Sequence, residues 1–209
     1  MPDFLLFIFE ILGTVSFAVS GAMTALRHKM DVFGVAILGL VTAVGGGVIR
    51  DLVLGITPPG TFSNPVYSLV AIFTSIVIFL PSVRRILTKK QWLYDHILRL
   101  MDSVGLGIFT VVGIRVAIEA SYGSNVFLLL FVGVITGTGG GILRDVLAGD
   151  TPYIFVKHFY ATASLIGAAI YIAVLHYFGE TLAMMIGASV IVVLRFLAAH
   201  YKWSLPHAE

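Results

Sequence analysis

Two segments of the chain, 42–58 and 136–152, are near copies of each other, and each holds three consecutive glycines followed by an arginine–aspartate pair. Nine of their seventeen aligned positions are identical. Each copy lies in a long apolar stretch, where a run of glycines destabilises an α-helix and frees its backbone. Interrupted hydrophobic segments at matching positions of two halves are typical of proteins that move ions or solutes across a membrane.

The composition is that of an integral membrane protein. Of the 209 residues, 58% are hydrophobic and 11% are charged, whereas soluble domains carry about 25% charged residues. The chain has no cysteine, which excludes disulfides and thiolate metal sites. We therefore predict an all-α fold in a single membrane domain that covers residues 1–209.

Seven segments approach the roughly 20 apolar residues that a bilayer requires. The predicted spans are 4–26, 31–54, 65–83, 98–119, 124–148, 156–177 and 181–200. Lysine and arginine concentrate in the loop 84–97 and at other span ends on the same predicted face. Since basic loops face the cytoplasm, we expect the N-terminus outside and the C-terminus inside.

The likeness between the halves extends beyond the glycine triplets. One set of residues in the first span matches a set in the fourth at an offset of 92. The matched pairs are Glu10 and Asp102, Gly13 and Gly105, Phe17 and Phe109, and Gly21 and Gly113. Because each unit has three spans, an odd number, the second unit (98–177) enters the membrane inverted relative to the first (4–83). The seventh helix, 181–200, has no counterpart.

The triplets predict a pore lined by two interrupted helices, the second and the fifth. If a half-helix ends at each triplet, its carbonyls lose their partners and its negative dipole end favours a cation. The alternative is that the glycines only allow close helix packing. The predicted pore residues are Gly45, Gly46, Gly47, Gly139, Gly140, Gly141, Thr42, Thr136 and Thr138.

Charged residues inside spans usually face a cavity or a partner. We predict gating or structural roles for Arg50, Asp51, Arg144, Asp145, Glu10, Asp102 and Arg115. The two Arg-Asp pairs act either as structural clamps or in the pore itself. Glu10 and Asp102 either cap a helix or snorkel near the interface, or they meet an arginine of the glycine-rich helices or line the vestibule. Arg115 either pairs with Glu119 one turn away or responds to the membrane potential, and Arg195 is expected to anchor the inner end of the last span.

Catalytic signatures are missing from the sequence. It has no His-Glu-x-x-His, no Gly-x-Ser-x-Gly and no phosphate-binding loop. We therefore expect no enzyme activity, no cofactor and no nucleic-acid partner. The basic 84–97 loop and its flank either bind anionic lipid head groups or serve only as a topology signal.

The doubled Gly-Gly-Gly-x-x-Arg-Asp motif in a chain of this length resembles the prokaryotic TRIC (trimeric intracellular cation) channels. The likeness also covers Phe17 to Ala22 and Asp31 to Val35. It implies a homotrimer in the inner (plasma) membrane, with a path for K⁺ before Na⁺ in each protomer, lined by helices two and five. Some bacterial relatives are described as glycine carriers, so a small-solute transporter is the alternative. The sparse polarity around the triplets favours a small ion.

Overall fold

The computed structural model describes residues 3–156 and 159–203, and the regular structure within these ranges is helical. A five-residue π turn, Ile118–Tyr122, extends the sixth of ten α-helices. In chain order the helices are α1 (Asp3–Arg27), α2 (Val32–Val53), α3 (Gly60–Ser63), α4 (Val66–Phe79), α5 (Pro81–Thr88), α6 (Gln91–Ala117), α7 (Val126–Ala148), α8 (Tyr153–Val156), α9 (Tyr160–Phe178) and α10 (Glu180–His200).

Six of these helices are long and apolar enough to cross a membrane: α1, α2, α6, α7, α9 and α10. Helices α4 and α5 meet at a bend of 70° and make a seventh crossing when they are taken as one broken span. The predicted all-α membrane fold is confirmed. Most predicted boundaries lie within a few residues of the observed ones, although residues 157 and 158 of the predicted span 156–177 lie outside the described residues.

The predicted third span, 65–83, is bent, and the predicted basic loop, 84–97, is largely helical. The span predicted at 65–83 stops as helix α4 at Phe79, because Pro81 cannot donate to the helix and holds the preceding Leu80 in an extended conformation (φ −52°, ψ 136°). The segment 84–97 is largely helical, since α5 runs to Thr88 and α6 begins at Gln91. Arg84 and Arg85 lie on α5, whereas Lys89 and Lys90 lie between the two helices.

The glycine triplets do not end a helix. Helix α2 continues through Gly45–Gly47 to Val53, and α7 continues through Gly139–Gly141 to Ala148. The predicted half-helices with freed carbonyls are therefore wrong. Burial on both sides compensates for the weak helix propensity of glycine, because most helical stability comes from tertiary packing.

The triplets instead let α2 and α7 touch through their backbones. A Cβ added at Gly46 would overlap the carbonyl oxygen of Thr136, and a Cβ at Gly140 would overlap that of Thr42. Position 46 meets 136 while 42 meets 140, so the two helices run antiparallel. This contact agrees with the alternative prediction, in which the glycines allow close helix packing.

Helices α1 and α6 are also antiparallel. The rings of Phe17 and Phe109 lie 5.3 Å apart at mid-length, and Arg27 at the end of α1 pairs with Asp95 at the start of α6 at 2.6 Å. Both pairs of sequence-matched helices are thus oppositely directed, as the predicted inverted repeat requires. His28 contacts Asp150 at 3.0 Å, which places the ends of α1 and α7 at the same end of the bundle.

We expect Gly46→Ala and Gly140→Ala to lower the free energy of unfolding by about 1–3 kcal/mol each, because the new methyl group meets a carbonyl of the opposing backbone. Gly47→Ala is the matched control, since its Cβ has no neighbour nearer than 3.7 Å. That variant should be neutral or stabilise by up to about 1 kcal/mol. Unfolding of the purified protein by SDS titration in mixed micelles measures the differences. Equal effects at positions 46 and 47 would contradict the packing role.

Candidate functional site

A cavity of about 160 Å³ opens among α1, α2, α4 and α6. Its wall combines charged, hydroxyl-bearing and apolar side chains. The lining residues are Glu10, Thr14, Ala43, Val44, Gly47, Arg50, Asp51, Gly60, Thr61, Tyr67, Phe109 and Val112. The cavity is large enough for about five water molecules at ~30 Å³ each.

Among the described lining residues, the formal charges of this cavity sum to one net negative charge. The Nη2 atom of Arg50 lies 2.8 Å from Oδ1 of Asp51, so these two charges offset each other. The second carboxylate oxygen of Asp51 accepts a hydrogen bond of 2.8 Å from the backbone N–H of Gly60, which holds the loop after α2 in place. Glu10 accepts a hydrogen bond from the hydroxyl of Tyr67. Its carboxylate has no arginine partner within the described residues.

The sequence-matched residues at the opposite end form a closed ionic cluster. Nη1 of Arg144 lies 2.5 Å from Oδ1 of Asp102 and donates to Oγ of Ser20 at 2.5 Å. Nη2 of Arg144 lies 2.8 Å from Asp145. The side chains of Arg144 and Asp102 are 1% and 0% exposed. A charge buried this deeply is tolerable only when it is paired.

Three further side chains complete the cluster. Nη2 of Arg195 lies 3.9 Å from the second oxygen of Asp102, and the hydroxyl of Tyr160 donates to Asp102 at 3.4 Å. The ring of Tyr153 lies 5.0 Å from the Arg144 guanidinium. Burial raises the pKa of Tyr153 above its usual value, so its phenol stays neutral beside this cation. Two arginines and two aspartates, Asp102 and Asp145, make the cluster neutral overall.

The two ends use matched residues in different ways. A tyrosine donates to the matched acid at each end, Tyr67 to Glu10 and Tyr160 to Asp102. Only at the second end does the acid also bind the arginine of the glycine-rich helix. The first end therefore stays an open cavity and the second is sealed by ion pairs.

A stripe of side chains on α1 connects the two ends. Glu10, Thr14, Phe17 and Ser20 recur every three or four residues and so share one helix face. The first two border the cavity, Phe17 packs on Phe109, and Ser20 binds Arg144. From Glu10 to Ser20 the helix rises about 15 Å. The polar ends are thus separated by an apolar middle that contains the two phenylalanine rings.

Most of the predicted pore residues lie outside this cavity. Among them only Gly47 borders the cavity. The three threonines return their hydroxyls to carbonyls of their own helices, at 2.6 Å for Thr42 and Thr136 and 2.7 Å for Thr138. A threonine bonded in this way inside a packed helix pair is part of the helix contact, so these side chains do not line the cavity.

Two further arginines inside the spans, Arg115 and Arg195, are also paired. Arg115 binds Glu119 at 2.8 Å, as the ion-pair interpretation predicts, and it also binds Glu180 of α10 at 2.8 Å. Arg195, predicted to be an anchor at the end of the last span, is 5% exposed and belongs to the Asp102 cluster. That prediction is wrong, since the side chain turns inward to a buried carboxylate.

Sequence reasoning missed Tyr67, Tyr160 and Ser20. The two tyrosines are 93 residues apart, within the 92 to 94 offset of the matched helices, so the repeat alignment contained that signal. No such signal existed for Ser20, because a single hydroxyl in an apolar helix is common. The structure has no group of three or more metal-ligating His, Asp or Glu side chains among the residues it describes.

Fold and site together define a polytopic α-helical membrane protein built on a duplicated unit with charged ends. A family model described as "Glycine transporter" matches residues 7–82 and 99–176. The UPF0126 inner membrane protein YadS of Escherichia coli K12 is 39% identical over 199 residues, which cover 94% of this chain and 93% of that protein. The chain belongs to this family, which includes the prokaryotic TRIC channels.

Two solved structures show the same fold. A TRIC channel orthologue from Rhodobacter sphaeroides aligns with a TM-score of 0.85 at 34% identity, over 95% of this chain and 99% of that one. A second structure, described in work on conductance through TRIC cation channels, aligns with a TM-score of 0.83 at 36% identity, over 97% and 96% of the two chains. The predicted family resemblance is confirmed.

We expect Asp102→Asn to lower the free energy of unfolding by about 3–5 kcal/mol, because it removes the buried carboxylate that two guanidinium groups share. Glu10→Gln is the matched control at the open end. It should cost about 1 kcal/mol or less, since a glutamine still accepts from Tyr67 and no arginine depends on Glu10. SDS titration measures both values. A cost at position 10 equal to that at position 102 would contradict the unequal use of the two ends.

Proposed function

We propose that this protein is a monovalent cation channel, with K⁺ preferred over Na⁺ and a conduction path inside each protomer. The path follows the stripe on α1 between the cavity at Glu10 and the cluster at Asp102, beside the contact of α2 and α7. The conductance named for related TRIC cation channels supports the ion-channel class.

The observation that carries the proposal is the net negative cavity. Glu10 and Asp51 face one arginine, Arg50, so the lining holds a surplus of one negative charge. Low-dielectric walls strengthen the field of such a charge and raise the local concentration of cations. A cation that enters this cavity then meets the carboxylate of Asp102 about two turns beyond Phe109 on α6.

The structure corresponds to a closed state in this proposal. Two barriers separate the cavity from the other end of the bundle. One is the apolar contact between Phe17 and Phe109, and the other is the buried ion pair of Arg144 with Asp102. Conduction requires both to give way, because a hydrophobic constriction excludes water and a buried guanidinium repels cations.

Preference for K⁺ follows from the weak field of the site. The surplus charge is a single carboxylate whose oxygen already accepts from Tyr67. It therefore returns little of the hydration energy that a small cation loses on entry. The less strongly hydrated ion is then the one that enters more easily.

We also propose a homotrimer in the inner membrane, with the N-terminus outside. Support comes from the Rhodobacter sphaeroides orthologue, which is described as a trimeric channel, and from YadS, which is described as an inner membrane protein. Positive charges at the end of the bundle that holds Arg27 and α5 support a cytoplasmic location of that end.

We expect Glu10→Gln to reduce the single-channel K⁺ conductance about tenfold at low salt, because the charge that concentrates cations is gone. The loss should shrink in high KCl, where screening already weakens that charge. Planar bilayer recordings with purified protein in a KCl gradient measure it. Asp150→Asn is the control, since it removes an equal charge from an exposed position outside the cavity. Conductance that is unchanged in Glu10→Gln, or equally reduced in both variants, would contradict the proposal.

A glycine-type transporter is the second candidate, and one observation favours it beyond the family description. The cavity places an arginine, Arg50, with two carboxylates and the hydroxyls of Thr14 and Tyr67. Such a set offers partners for both the carboxylate and the ammonium of a zwitterion. The surroundings of the first glycine triplet are therefore more polar than the sequence analysis predicted.

Uptake of labelled glycine into proteoliposomes separates the two candidates. A channel gives unitary currents and no saturable uptake, whereas a carrier gives saturable uptake without unitary currents. For a carrier, Arg50→Gln should raise the glycine concentration for half-maximal uptake about tenfold, because a charge-assisted hydrogen bond is lost. Unaltered uptake in this variant would contradict glycine binding at the cavity.

A further inference from the structure

Helix α5 (Pro81–Thr88) leaves the bundle at an angle. It bends 70° away from α4, which packs along the spanning helices α1 and α2. A helix turned this far from a membrane-crossing neighbour runs more nearly along the membrane surface than across the bilayer. Its eight residues make about 12 Å of helix, so α5 is a short interfacial segment between the third span and α6.

The sides of α5 have different surroundings. Val83 and Leu87 lie one turn apart and face the bundle, where Leu87 is 8% exposed and joins a core cluster with Met23 of α1. Ile86, which is 65% exposed, borders that buried side. Arg85 lies on the opposite side, because each residue turns a helix by about 100°. An apolar side next to a basic side is typical of a helix that lies in the membrane interface.

The basic side chains of this region have no acidic partners. Four of them are exposed on α5 and the turn after it: Arg84, Arg85, Lys89 and Lys90. None of the four forms an ion pair with another described residue. No aspartate or glutamate occurs between positions 52 and 94, and the next acid, Asp95, pairs with Arg27 of α1 at 2.6 Å. The four positive charges are therefore available to a partner outside the protein.

Two aromatic side chains define where these charges lie. The Cζ atom of Arg84 is 5.6 Å from the ring centre of Phe79, so one face of the guanidinium stacks on the end of α4 while its N–H groups point away from the ring. Trp92, in the first turn of α6, is 66% exposed. Tryptophan at the end of a span is enriched at the membrane–water interface. The basic residues just before it thus lie at the depth of the lipid head groups.

We propose that α5 and the turn that follows it, residues 81–90, bind the head groups of anionic phospholipids. Clusters of four or more basic residues beside a span attract anionic lipids, and guanidinium groups donate paired hydrogen bonds to phosphate oxygens. A topology signal, the other use that the sequence left open, requires the same charges but no ordered helix. The exposed Ile86 and the stacked Arg84 on a folded interfacial helix favour head-group binding.

Fluorescence of Trp92 reports on the lipid beside this surface. The chain has two tryptophans, so Trp203→Phe leaves Trp92 as the single fluorophore of its type. The full-length variant is reconstituted in phosphatidylcholine bilayers, to which brominated phosphatidylglycerol or brominated phosphatidylcholine is added in steps. Bromine quenches tryptophan only at short range. Comparison of the two titrations therefore gives the affinity of phosphatidylglycerol relative to phosphatidylcholine next to α5.

Two matched double variants test whether α5 itself binds the lipid. Arg84→Gln with Arg85→Gln removes two charges from α5. Lys29→Gln with Arg99→Gln removes two charges from exposed positions at the same end of the bundle, outside α5. We expect phosphatidylglycerol to be preferred about tenfold, and this preference to be largely lost in the α5 variant but kept in the control. Added salt should reduce it, because the attraction is between exposed charges.

A relative affinity of one in the single-tryptophan protein would overturn the proposal and leave the basic segment as a topology signal. Equal losses in the two double variants would also overturn it, since the effect would then follow only the net charge of this end. Circular dichroism and gel filtration check that each variant is folded. The quenching measurement depends neither on conduction nor on glycine uptake.

Discussion

The direct approach of the α2 and α7 backbones sets the geometry on which the other features depend. Gly46 and Gly140 each face a carbonyl of the opposing helix with no side chain between them. This contact fixes the antiparallel pair in the middle of the bundle, so the Arg-Asp pairs one turn beyond the triplets project toward opposite ends. At one end Arg144 binds Asp102 of α6, whereas at the other end Arg50 only borders the same cavity as Glu10 of α1. The polar sites are consequences of how closely two main chains pack.

The duplicated units place matched residues at the two ends of the bundle, but one end is an open cavity and the other is closed by ion pairs. Arg144 reaches Asp102 and is buried with it, whereas Arg50 stays with its neighbour Asp51 and leaves Glu10 to Tyr67. A buried ion pair needs additional partners to offset the loss of water, and Ser20, Tyr160 and Arg195 supply them only at the Asp102 end. The presence or absence of those partners separates a sealed end from an open one.

The sequence predicted the helical class, the duplicated units and the importance of the matched charges, because each leaves a periodic or repeated pattern. It did not predict what the glycine triplets do. A run of glycines is compatible both with an interrupted helix and with a close helix contact, and only the position of Thr42 and Thr136 on the opposing helix decides between them. Likewise, the inward turn of Arg195 depends on a carboxylate 93 positions earlier in the chain. Helix α5 was not predicted because a segment rich in basic residues between two spans is typical of a loop.

The proline bend after α4 bears on the lipid around the protein. A helix of 14 residues is about 21 Å long, roughly 9 Å less than the hydrocarbon thickness of a typical bilayer. Beside α4 the membrane must therefore thin, or the basic side chains of α5 must draw head groups inward. Because α4 carries Tyr67, the donor to Glu10, the energy of that local deformation acts on an element that borders the open cavity. Lipid chain length is thus a physical variable for this fold.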